Sequence, residues 1–224
     1  MFEEAVQRVL RDPRLRGLGF ACGPTFVSAA AYEDVAELVQ HGRIHVRTHS
    51  DVSAGNALYA PRATATFGPA DTLFVSDSIE LRAPASSPAA MRGCALVVHE
   101  ATHAAQDHSG QSALTRGLAE AAAYLAQAIY FRLHDETFRE HCELLRFARQ
   151  GGPRAIAQER ILAGDRLLDA VEPVAARLMD RGGVGVVEPT ELRAISAAVR
   201  SHPVYAGHTD ELAGMNGIAQ HHAP

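Results

Sequence analysis

Between Arg92 and Asp107 the chain carries one formal charge, Glu100, set between two histidines in Val97-Val98-His99-Glu100-Ala101-Thr102-His103. A typical surface helix would carry arginine or glutamate on its outer face, so this segment predicts a helix that is largely buried. A buried helix cannot hold a carboxylate and two imidazoles in an apolar interior unless something pairs them. Residues four apart on a helix lie on one face, one turn apart. His99 and His103 therefore present two imidazoles to one point with Glu100 beside them, the HExxH pattern of two zinc ligands and a general base. With 12 histidines and 15 glutamates in 224 residues, composition alone supplies this pattern in about 4% of such chains. The uncharged surroundings give it its weight.

Zinc needs a third protein ligand if water is to take the fourth position. The long metzincin form requires Gly and His at the positions held here by Gln106 and Ser109, so it is excluded, with His108 out of register by one. The inverted HxxEH form is absent. The segment Gly117-Leu118-Ala119-Glu120-Ala121-Ala122-Ala123-Tyr124 places one carboxylate in an apolar run 17 residues after His103. A turn at Asp107–Gln111 would fold the second helix back and bring Glu120 to the histidines. Asp107 is the rival ligand, four residues past His103, although three ligands in line down one helix suit tetrahedral zinc poorly. An Arg116 partner at i−4, or a solvent-facing position, would explain Glu120 without a metal.

The stretch Val97–Gln106, VVHEATHAAQ, followed by Glu120 and Tyr124, resembles the zincin metallopeptidases of the gluzincin arrangement. It is similar to bacterial zincin-like domains that carry HExTHAxQ before an E-A-x-A-Y helix, some of which are secreted effectors or toxin domains. The resemblance spans roughly residues 57–130 and is specific over 97–124. It implies zinc as cofactor, His99, His103 and Glu120 as ligands, Glu100 as general base, and a strand edge beside the cleft that receives an extended peptide. It also implies a distant Tyr or His that stabilises the oxyanion. In Ser201-His202-Pro203-Val204-Tyr205-Ala206-Gly207-His208-Thr209-Asp210 the candidates are Tyr205, His202 and His208, with Tyr205 favoured. Asp107 and Asp77 are candidates to hold the free ring nitrogens of the histidines, and Tyr124, one turn past Glu120, either points at the site or belongs to the core.

The rest of the chain sets the frame. Residues 2–11 place Phe2, Val6, Val9 and Leu10 near helical spacing. A second helix is expected over Thr25–Gln40, with Phe26, Ala30, Val35, Leu38 and Val39 inward. From Arg43 to Arg82 the period shortens: Ile44 and Val46, Ala63–Phe67, Leu73–Val75 and Ile79–Leu81 predict a small antiparallel or mixed sheet of three or four strands. After Pro84–Pro88, helices are expected near 89–108, 113–132, 135–149, 154–181 and 189–201. Pro173 should kink or split the fourth of these, and the tail from Gly207 should be loose. The expectation is an α+β, zincin-like chain forming a single domain over 1–224. Residues 1–88 give a helical start and the sheet, 89–132 the metal-site helices, and 133–224 a mostly helical remainder.

Composition narrows the partners. A net charge of −5 with no basic block argues against nucleic acid. No apolar run approaches a membrane span, and the acidic start lacks the form of a secretory signal. Three widely spaced cysteines predict free thiols in a reducing compartment. All 21 basic residues are arginine. That fits a GC-rich genome, as do 41 alanines and two asparagines, or selection against lysine modification in a protein delivered into another cell. The expected location is cytoplasmic, or exported without an N-terminal signal. The expected function is a zinc metallopeptidase acting on peptide or protein substrates, with a bacterial effector protease as one version of it. The alternative is a zincin-like scaffold with a structural metal site. The sequence leaves the oligomeric state open.

Overall fold

The first helix forms as its apolar spacing dictates. In α1 (Phe2–Leu10), Ala5, Val6, Val9 and Leu10 are buried, while Glu3 and Glu4 lie in the first turn where the helix dipole favours acids. The computed structural model describes residues 2–49, 57–63, 69–81, 87–140, 154–215, 217 and 218. They form an α+β arrangement with two small three-stranded mixed sheets.

A 3-10 turn over Pro13–Gly17, capped by Asp12, leads into β1 (Gly19–Cys22). β2 (Thr25–Ser28) pairs with it antiparallel through the two-residue loop Gly23–Pro24. Gly23 has φ 59°, a left-handed conformation that suits the first position of such a loop. Residues 25–28 therefore extend as a strand and do not begin a helix. Thr25 and Val27 face the core, and Phe26, expected inside, is 62% exposed. Ser28 caps α2 (Ala29–Gln40) by accepting the Ala31 N–H. In α2, Val35 and Val39 are buried as expected, Leu38 is half-buried and Ala30 is exposed.

The sheet expected between residues 43 and 82 is mixed and three-stranded. β3 (His45–Thr48) lies parallel to the central β5 (Thr72–Val75), and β4 (Ala57–Ala60) lies antiparallel to β5 on its other side. Every residue of β5 is buried. Ile79–Leu81 is not a strand: Ile79 and Leu81 are buried in extended chain without a ladder. The proposed strand at Ala63–Phe67 lies outside the described residues after Ala63.

Ser87 caps α3 (Pro88–His108), with Pro88 at the first helical position. Its buried residues include Val97, Val98, Ala101 and Ala104, and it packs most extensively on α4 (Arg116–Leu133). α5 (Arg154–Met179) runs unbroken across Pro173, so that residue does not split the helix. β6 (Val184–Val186) adds to β1 in parallel, completing a sheet ordered β2-β1-β6 that the sequence did not announce. α6 (Pro189–Ser201) follows, opened by a capping box between Glu188 and Glu191. Of the helix expected at 135–149, residues 138–140 are helical and the part from 141 lies outside the described residues. Side chains from α1, α2, β1, β5 and α3 to α6 join one apolar core. Among the described residues no helix is long and apolar enough to cross a membrane.

The described part of the tail is packed rather than loose. Thr209, Met215 and Ile218 are buried. The carbonyls of Glu211 and Thr209 accept the Arg116 and Gly117 N–H groups, capping α4 where Thr115 makes no side-chain cap.

A Cβ placed on Gly93 in α3 would lie 2.1 Å from the Glu80 carbonyl oxygen. A mid-helix Gly→Ala change ordinarily gains about 1 kcal/mol. Here the neighbour is backbone, so Gly93→Ala should instead destabilise the protein by about 1–3 kcal/mol, read as a lower midpoint in urea denaturation with an unchanged m-value.

Candidate metal centre

The site is built on two helices that run in opposite directions. His99 meets Gln127 and Glu120, while Gln106, two turns further along α3, meets Ala119 near the start of α4. The connection spans residues 109–115, closed by Gly110 at φ 71° and by the Gln111 N–H donating to the Gln106 carbonyl. This is a longer turn than Asp107–Gln111, because α3 continues to His108.

The fold brings His99, His103 and Glu120 together, with one ligand atom from each lying within 4.8 Å of the others. His99 Nε2 is 3.3 Å from Glu120 Oε2, and His103 Nε2 is 3.6 Å from Glu120 Oε1. Two donors bound to one tetrahedral zinc at about 2.0–2.1 Å stand about 3.3–3.4 Å apart, so the spacing fits the ion. Glu120 Oε2 is buried and accepts no hydrogen bond among the described residues, an orphaned oxygen that a cation would satisfy. Arg116 does not partner Glu120; it reaches Glu211 at 3.8 Å.

The far ring nitrogens are held by amides. His99 Nδ1 lies 3.2 Å from Gln127 Oε1, and His103 Nδ1 lies 3.1 Å from Gln106 Oε1. With those oxygens as acceptors, each Nδ1 carries a proton, and Nε2 is the nitrogen that each ring turns toward the cluster. The aspartates expected in this role are elsewhere. Asp77 is exposed in a turn. Asp107, also the rival ligand, is fully buried and lies outside the cluster, accepting the Tyr59 hydroxyl at 2.9 Å and the Gly217 N–H at 2.7 Å.

Glu100 sits beside the cluster and is 7% exposed. Its Oε2 accepts the backbone N–H of Tyr59 on β4 at 2.8 Å. Burial raises its pKa, against the opposing pull of His99 and His103. Burial also works against charge on His103, but the Glu120 carboxylate pushes its pKa up to about 9. Glu120 itself is held well below the usual carboxylate range: burial opposes ionisation, and His103 outweighs it.

His99, Glu100, His103, Glu120, Tyr124 and Tyr205 line one cavity of about 690 Å³, bordered by Leu58 and Tyr59 of β4. The Tyr205 and Tyr124 hydroxyls are 2.8 Å apart, and the Tyr124 ring packs edge-on against His99. Burial raises the Tyr205 pKa well above the ordinary phenol value, so it stays protonated. His202 and His208, the other candidates from that loop, do not line the cavity, and His208 pairs with Glu211 at the surface. Three contributors, Gln106, Gln127 and Tyr59, went unread in the sequence. Gln127 could have been found, since Glu120, Tyr124 and Gln127 follow an i, i+4, i+7 pattern that puts polar groups on one face of an alanine-rich helix. Tyr59 acts through its backbone N–H and leaves no sequence signal.

The two described cysteines, Cys22 and Cys94, are buried free thiols, and burial pushes the Cys22 pKa up to about 12. Neither lines the cavity. No family model, curated protein or solved structure matches this chain.

Protein purified without added metal should carry about one zinc per chain by elemental analysis, and Glu120→Ala should lose it. Gln127→Leu, which removes only the partner of the His99 ring, should weaken zinc affinity by about 10–100-fold in chelator competition.

Proposed function

We propose that this chain is a zinc-dependent peptidase with a zincin-like arrangement of gluzincin type. The observation that carries this reading is that three potential ligands and the Glu100 carboxylate line one open cavity bordered by the edge strand β4. A structural zinc site is closed by its own ligands, so the cavity favours a catalytic site over a scaffold. His99, His103 and Glu120 would hold the ion. A bound zinc ion supplies Lewis acidity and lowers the pKa of water toward about 7.

The protein's own groups do the rest. Among the described residues β4 is paired with β5 on one side only, so an extended peptide can lie along its other side beside the Tyr59 N–H that Glu100 holds, with backbone pairing at the neighbouring positions holding it across the cavity. Peptide bonds are favoured over other amides for this reason. Glu100, with one oxygen fixed by the Tyr59 N–H, takes a proton from water as the water oxygen bonds to the carbonyl carbon. It then passes that proton to the amide nitrogen as the C–N bond breaks, giving a carboxylic acid and an amine. With Tyr124 donating to Tyr205, the Tyr205 proton is available to the oxyanion that develops on the former carbonyl.

Glu100→Gln should keep its zinc and lose peptide hydrolysis by about 10²–10⁴-fold, measured on a peptide library with metal content in parallel. Tyr205→Phe should lower kcat by about 10–10³-fold with zinc unchanged. A Glu100→Gln protein as active as the wild type would refute the mechanism.

A further inference from the structure

A buried polar node beside β4 joins three parts of the chain that are far apart in sequence. Asp107 lies seven residues after Glu100 on α3, two turns along the same face, so both carboxylates look toward β4. Both meet Tyr59: its backbone N–H donates to Glu100 at 2.8 Å and its hydroxyl donates to Asp107 Oδ2 at 2.9 Å. The hydroxyl also lies 3.4 Å from Asp71 Oδ1, in the turn that precedes β5. The other Asp107 oxygen accepts the Gly217 N–H at 2.7 Å, and Ile218 beside it is fully buried. One fully buried carboxylate thus ties the C-terminal main chain to the side chain of the residue whose backbone holds Glu100.

We infer that Asp107 is a positioning residue for the general base, and that docking of the chain at Gly217 completes the alignment of Glu100. This rests on the reading of Glu100 as that base. A carboxylate aims its free oxygen only as well as its fixed oxygen is held. Here the holder is a strand that among the described residues pairs with β5 alone, and the node adds a polar anchor at the hydroxyl of its buried Tyr59 side chain. Displacements near 1 Å at a reacting group cost about 10²-fold in rate. Asp107 lies outside the cluster of three donors, so the contact that links it to Glu100 is Tyr59.

The test compares the full-length wild type with Asp107→Ala, Tyr59→Phe and Asp107→Asn. Asp107→Ala and Tyr59→Phe should lower kcat by about 10–100-fold, with KM and zinc content close to wild type. In both, the Tyr59 amide should exchange with deuterium at least about tenfold faster, while amides of α2 keep their protection. Asp107→Asn should restore most of kcat and of the protection, because its oxygen still accepts from Gly217 and its amide can donate to the Tyr59 oxygen. A purely structural Asp107 would lower thermal stability and leave kcat per folded, zinc-loaded molecule intact; that result overturns the inference. Wild-type exchange at Tyr59 in both altered proteins overturns it too. Should Asp107→Ala not fold, Tyr59→Phe, which loses only a hydroxyl, carries the same readouts. If the wild type cleaves no peptide, the assignment of Glu100 as base fails, and the exchange rate at Tyr59 then decides the coupling by itself.

Discussion

Two carboxylates and two imidazoles are buried between α3 and α4, and the rest of the structure answers to the cost of putting them there. Ionisable groups removed from water are tolerated only when each is paired or hydrogen-bonded. Each of the four has a specific partner, supplied from α3, α4 or β4. Gln127 and Gln106 hold the two rings, Tyr59 of β4 holds Glu100, and the histidine nitrogens face Glu120. The one oxygen left over, Glu120 Oε2, is where a cation would act. The site is therefore a network of obligations between elements, and it would lose its shape if any one of them moved.

Close approach of the helices makes that network possible. The faces of α3 and α4 that carry these residues include small buried side chains, Ala95 one turn before His99 and Ala123 between Glu120 and Gln127. Small side chains let the helices come close enough for the Gln106 amide to reach both the His103 ring and the Ala119 carbonyl. Bulkier residues at the same positions would hold the helices apart and separate Glu120 from the histidines. The Thr102 hydroxyl, which meets Tyr32 of α2 at 2.9 Å, ties α3 into the first half of the chain.

The segment after α6 completes the cavity from outside. It brings Tyr205 against Tyr124, caps α4 through the carbonyls of Thr209 and Glu211, and ends at the Asp107 node. Because Glu120 lies in the second turn of α4, a cap on that helix also steadies the Glu120 carboxylate. Glycine content alone pointed to a loose tail. Gly117 shows why the segment instead seats closely: a Cβ there would come within 3.2 Å of the Thr209 carbonyl oxygen, so its absence is what leaves room for the contact.

The sequence determined what could be read from local periodicity and from the cost of burial. The HExxH face of α3, the α+β class, a small sheet between residues 43 and 82, and Glu120 as the nearby carboxylate all follow from charges and apolar residues a few positions apart. Tertiary structure decided whatever depended on a distant partner. Thr25–Ser28 became a strand because β1 was there to pair with it, and β6 joined the same sheet from more than 150 residues away. Asp107 turned from a possible ligand into an anchor because Tyr59 and Gly217 arrived on its other side. The amide groups took the second-layer role expected of aspartates because helix packing, and not sequence spacing, chose which side chains face the rings. A backbone N–H such as that of Tyr59 is the same in every residue but proline, so only the fold could show which one Glu100 would find.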